Sequence, residues 1–161
     1  MQDAPGLTPP ISNWRAARST EKLQRVFSDP DFDDSEWHLI DVPSHWQSNA
    51  SFADYEGTLL YRADFNVPQL QPGQRRWLRF NGLCYEGDVF LDGAYVGQTE
   101  GYFSHHRFEI TDLADKPGRS VLAIEVSAPH GKSPEPKRDL TGWFTEGPGL
   151  PLGWNLSLIH I

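Results

Sequence analysis

Along Val121 to Val126, the apolar residues Leu122, Ile124 and Val126 alternate with Ala123 and Glu125. A period of two sends successive side chains to opposite faces, so this run predicts a strand with one buried face and one wet face. Short runs of similar β-forming texture recur at Trp37 to Val42, Leu59 to Val67, Arg76 to Phe80, Val89 to Val96 and Arg107 to Ile110. Turn residues punctuate them. Asp92-Gly93 supplies the positive φ values that a tight hairpin needs, and the Pro-Gly steps at Pro72-Gly73 and Pro117-Gly118 read as turns ahead of strands. The pattern predicts an all-β, antiparallel sandwich or barrel. One short helix is expected near the start, capped by Ser19-Thr20, with Leu23, Val26 and Phe27 on one face.

Outside these runs the texture changes twice. Residues 1–13, with Pro5, Gly6, Pro9 and Pro10, read as a loose arm. From Pro129 to Pro151 the chain turns to Pro, Gly, Lys and Asp with isolated aromatics, the texture of a long functional or domain-bridging loop.

A length of 161 residues with 38% hydrophobic and 12% aromatic content fits one globular domain with a real core. The net charge of -8 opposes nucleic acid and anionic membrane as main partners and leaves a neutral ligand such as a sugar open. Cys84 is the lone cysteine, so no internal disulfide forms, and its apolar surroundings predict a buried, inert thiol. Acid and prolines in Met1 to Ile11 replace the basic and apolar regions of a signal peptide, and no apolar run approaches a membrane span. A cytoplasmic location is the expectation.

Candidate chemistry is sparse. His105 and His106 are adjacent, so on a strand they face opposite ways and do not share a metal. The acidic run Asp29 to Ser35 lacks the Gly and terminal Glu of an EF-hand loop and reads as a solvated turn capping nearby backbone. No Gly-x-Ser-x-Gly elbow, zinc-protease His pair or phosphate-binding loop is present. No metal and no cofactor are expected. Tryptophan stands out: Trp14, Trp37 and Trp46 flank strand and turn signals and are expected in packing, whereas Trp143 lies in the Gly-Pro-rich stretch and is the ring expected to face a ligand or partner.

The ordered set Trp14, Phe32-Asp33-Asp34-Ser35, Trp37, Val42-Pro43, His45-Trp46, Gly57, Tyr61-Arg62 and Phe65 resembles the N-terminal sugar-binding domain of glycoside hydrolase family 2. Leu78-Arg79-Phe80, Leu91-Asp92-Gly93, Gly101-Tyr102 and Leu122-Ala123-Ile124 continue the match. The resemblance implies a jelly-roll β-sandwich, similar to galactose-binding domains, over residues 14–128, with 129–155 as a long loop of the same domain. It implies kinship with β-galactosidase, β-glucuronidase and β-mannosidase, in which two glutamates on a separate barrel of about 250 residues do the chemistry. Neither glutamate is carried over, so no catalytic residue is expected here. The implied partners are carbohydrate and the immunoglobulin-like and barrel domains downstream. By the same resemblance, Asp139 would accept hydrogen bonds from sugar hydroxyls and Trp143 would stack on a sugar ring. Residues 156–161 depart from the family pattern, resemble translated adapter read-through, and are read as a truncation artefact. A free-standing lectin-like module is the competing class.

Overall fold

The structure, a computed structural model, describes residues 10–83, 85–101, 104–127 and the backbone of 157–160. Nine strands are described: β1 (Trp14–Arg18), β2 (His38–Ile40), β3 (Thr58–Val67), β4 (Trp77–Gly82), β5 (Glu86–Leu91), β6 (Ala94–Glu100), β7 (His106–Glu109), β8 (Gly118–Ser127) and β9 (Ser157–His160). They form a six-stranded sheet, in the order β2-β1-β3-β8-β5-β6, and a three-stranded sheet, β7-β4-β9. Every pairing is antiparallel. The predicted all-β sandwich is the observed architecture.

The longest ladder joins β3 to β8, from Thr58 opposite Ser127 to Val67 opposite Gly118. On its inner face Leu59, Tyr61, Leu122 and Ile124 are fully buried, and Leu78 and Phe80 of β4 meet them from the second sheet. Gly97 of β6 lets the sandwich close at one side. A Cβ there would lie 2.5 Å from Cε1 of Phe108 on β7.

The hairpin turn is as expected. Asp92 and Gly93 adopt φ values of 48° and 83°, the double positive-φ signature of a type I′ turn. The Asp92 carboxylate also accepts a hydrogen bond from the Val121 amide at 2.7 Å, tying the hairpin tip to β8.

The outer face of the large sheet differs from expectation. Ala123, expected on a wet face, is fully buried beneath a second apolar cluster that includes Phe27, Trp37 and Leu60. The segment between β1 and β2 folds back over β3 and β8 and dries this face. Its helix, α1 (Glu21–Gln24), is capped by Thr20, whose side chain accepts from the Leu23 amide. Leu23 and Phe27, four residues apart, point to the sheet, while Val26 is 40% exposed rather than on that stripe. The turn is too short to offer a wider apolar face.

Candidate functional site

Two recesses among the described residues flank β2. One, of about 290 Å³, is lined by Arg18, Glu36, Trp37, His38, Ser51 and Phe52, together with Ala17. The other, of about 690 Å³, runs from Ser12-Asn13-Trp14 past Leu39 to Pro43 and Asn49. Both depend on the segment after β2, where two 3-10 turns, Trp46–Ser48 and Ala50–Phe52, are capped in succession by His45 and Asn49. Burial of Trp46 and Phe52 holds these turns against the sandwich, and Trp46 Nε1 donates to the Tyr55 carbonyl at 3.2 Å.

In the smaller recess, Arg18 donates to the Ser51 carbonyl at 3.1 Å and lies 5.1 Å from the Tyr55 ring centroid. Ser51 Oγ is 3.2 Å from His38 Nδ1, and the His38 ring meets Phe52 edge-on at 5.5 Å. Burial raises the Tyr55 phenol above its usual pKa, and its hydroxyl donates to the Thr58 carbonyl at 2.7 Å. A carboxylate, an imidazole, a guanidinium and a hydroxyl thus border an aromatic wall. The set suits hydrogen bonding to a polar ligand.

A neighbouring polar constellation serves structure instead. Arg62 of β3 is buried, and its Nε donates to Asp34 Oδ2 at 2.7 Å. Its remaining donors reach the carbonyls of Phe27, Asp29 (2.9 Å) and Phe32 (3.2 Å), and its guanidinium sits 5.3 Å from the Phe32 ring. Asp29 and Asp33 cap the amides of Asp31 and Ser35. The amide and hydroxyl of Ser35 hold the Asp33 carboxyl below its ordinary pKa. The acidic run is therefore a capped turn pinned by an arginine, with the carboxylates of Asp29, Asp33 and Asp34 committed to backbone and guanidinium.

The sequence-predicted positions fall in two groups. Trp14, Trp37 and Trp46 are buried packing residues, as expected. Asp139, Trp143 and Cys84 lie outside the described residues. The residues bordering the small recess had no spacing signal, because Arg18, Glu36, His38 and Ser51 come from β1, a loop, β2 and a turn. Among the described residues no group of three metal-ligating side chains is gathered.

A family model described as "Glycosyl hydrolase 2 galactose-binding domain-like" matches residues 24–148. The chain belongs to glycoside hydrolase family 2. Its all-β sandwich is the galactose-binding-domain-like fold of that family's N-terminal domain, as the resemblance implied. Among curated relatives, a β-glucuronidase of Formosa agariphila is 22% identical over 160 residues, which cover 92% of this chain and 15% of that protein. A β-galactosidase of Thermoanaerobacter pseudethanolicus is 25% identical over 126 residues, covering 73% of this chain and 16% of that protein. Among solved structures, Bacteroides uniformis β-glucuronidase superposes with a TM-score of 0.69 at 21% identity, over 96% of this chain and 17% of that one. Faecalibacterium prausnitzii β-glucuronidase gives 0.69 at 14% identity, over 99% and 32%. At these identities the structural likeness speaks for the fold. The chain spans about a sixth of the length of the first two curated relatives. Among the described residues no helix is long and apolar enough to cross a membrane.

Proposed function

We propose that this chain is the N-terminal, non-catalytic domain of a family 2 glycoside hydrolase whose parent protein releases a terminal β-linked sugar. The observation that carries the reading is the family match over residues 24–148 in a chain spanning only 15% of a β-glucuronidase relative. Residues 14–128 form the body of the domain in this reading, and 129–155 its long loop. The body packs against the immunoglobulin-like and barrel domains of the parent. The barrel carries the acid/base and nucleophile glutamates, at the separation a retaining mechanism requires. From the loop, Asp139 accepts hydrogen bonds from sugar hydroxyls and Trp143 stacks on the ring. Such a loop brings only part of a composite site, so the domain alone binds monosaccharides weakly.

The test is incubation of the purified chain with chromogenic β-galactoside, β-glucuronide and β-mannoside. No turnover is expected. Hydrolysis that co-purifies with the chain and vanishes on substitution of one of its own carboxylates would overturn the reading. Micromolar galactose binding centred on Trp143 would instead identify a free-standing lectin-like module.

A further inference from the structure

Among the described residues, the outer face of the three-stranded sheet holds two arginines that no carboxylate pairs. Leu78 and Phe80 of β4 point into the core, so Trp77 and Arg79 alternate outward. On β7, Glu109 stands opposite Trp77, and Arg107 stands opposite Arg79. Glu109 is already engaged, by Arg75 at 3.2 Å and by the Thr111 hydroxyl at 3.2 Å. Among the described residues, the Arg79 side chain has no hydrogen bond, ion pair or ring contact, and on its other side Arg79 stands opposite His160 of β9. The Arg107 side chain has one contact among the described residues, its guanidinium lying 5.3 Å from the Trp77 ring centroid. Trp77 is itself 38% exposed.

Two like charges directly across a ladder destabilise a sheet. An anion bound between them would turn that repulsion into two charge-assisted hydrogen-bonded contacts. The exposed tryptophan narrows the anion's chemistry. A uronate sugar carries a carboxylate and an apolar C–H face on one ring, matching a cation and an aromatic surface side by side. An Asp or Glu side chain offers only the charge. The net charge of -8 does not prevent this, because screening limits its reach to about 8 Å at physiological salt.

We propose that the outer face around Trp77, Arg79 and Arg107 binds a carboxylate-bearing sugar unit of an acidic oligosaccharide, without calling on Asp139 or Trp143. The site is a holding surface and performs no bond cleavage, so its test stands whether or not the chain belongs to a hydrolysing parent.

The experiment titrates tetragalacturonate into the full chain by calorimetry and NMR, with neutral galactotetraose and tetraglutamate as parallel probes. Saturable binding of tetragalacturonate is expected, weakening as salt rises, with both other probes at least about tenfold weaker. The Arg79→Gln/Arg107→Gln double variant should lose at least about tenfold in affinity. Because the substitutions remove facing like charges, that variant should melt no lower than the parent chain, which separates loss of binding from loss of fold. Trp77→Ala should weaken tetragalacturonate binding more than tetraglutamate binding. Unchanged affinity in the double variant would overturn the proposal. So would tetraglutamate binding as tightly as the sugar, which would mark the face as a surface for an acidic protein segment, and so would galactotetraose binding as tightly.

Discussion

Arg62 and Asp34 meet at 2.7 Å across the edge of the outer apolar cluster, with the arginine buried and the aspartate 22% exposed. The pair joins two motifs that lie apart in sequence, Tyr61-Arg62 and Phe32 to Ser35, and closes the segment between β1 and β2 over the large sheet. Arg62→Ala should cost about 3–5 kcal/mol, because it removes at once the donors to Asp34 and to the Phe27 and Phe32 carbonyls and one of two donors to the Asp29 carbonyl. Arg62→Lys should also be strongly destabilising, since one ammonium cannot reproduce a planar fork reaching four acceptors. Urea unfolding followed by tryptophan fluorescence reads both. A lysine variant as stable as the parent would show that charge alone suffices.

Tyr61 predicts a change of the opposite sign. Among the described residues its hydroxyl, buried in the main core, has no hydrogen-bond partner, and burial pushes its pKa well above the ordinary phenol value. Its ring still packs edge-on against Trp14 at 6.4 Å. Tyr61→Phe keeps that ring and removes the unmatched hydroxyl, so stability should rise by about 1 kcal/mol. A melting temperature that falls instead would mean that the hydroxyl is satisfied in solution.

Glu125 should make stability pH-dependent in a defined window. It stands opposite Asp88 of β5 and accepts from the Gln24 side chain at 2.7 Å, and burial raises its pKa above 4.5, with Asp88 adding to the rise. A carboxyl with a raised folded-state pKa favours the fold fully below 4.5 and loses that contribution as pH rises through the folded value. Glu125→Gln should therefore gain about 0.5 kcal/mol at neutral pH, the scale of one cross-strand like-charge pair. The gain should disappear in acid. Melts of both proteins across that range check the sign, and a benefit that grows as pH falls would refute it.

Gly97 offers a packing test of the closure between the two sheets. With Phe108 Cε1 2.5 Å from the place of a Cβ, Gly97→Ala should cost about 1–3 kcal/mol, the usual range for overpacking. Combining it with Phe108→Leu should cost less than the sum of the two single changes, because the smaller side chain vacates the contested space. Strict additivity would mean that the two residues do not touch in solution.

Strand positions along β3, β4, β7 and β8 were legible because each carries its own apolar period, and the hairpin because Asp92-Gly93 encodes its turn locally. β1 was not legible. Its sequence, Trp-Arg-Ala-Ala-Arg, has little β propensity, and it is a strand because β2 and β3 pair with it on both sides. The dry outer face was hidden for a related reason. Ala123 suits water or a tight apolar contact equally well, and only the return of Phe27 and Trp37 from a distant segment decides between them. The polar recess beside β2 has the same character, since its residues acquire a common environment only after the edge strand and the two 3-10 turns have packed.

The β3–β8 ladder also carries a consequence in time. Each of its paired residues waits for a partner made much later, Thr58 for Ser127 and Val67 for Gly118, while β5 and β6 can close through their own turn. A ladder between such distant segments imposes a large loop-closure cost before its contacts form, so the hairpin should be an early event and the centre of the large sheet a late one. On the ribosome, β3 is then a strand with Leu59 and Tyr61 on one side and Leu60 on the other and no finished sheet to receive any of them. Until β8 has emerged, this segment exposes apolar side chains that the finished sheet buries.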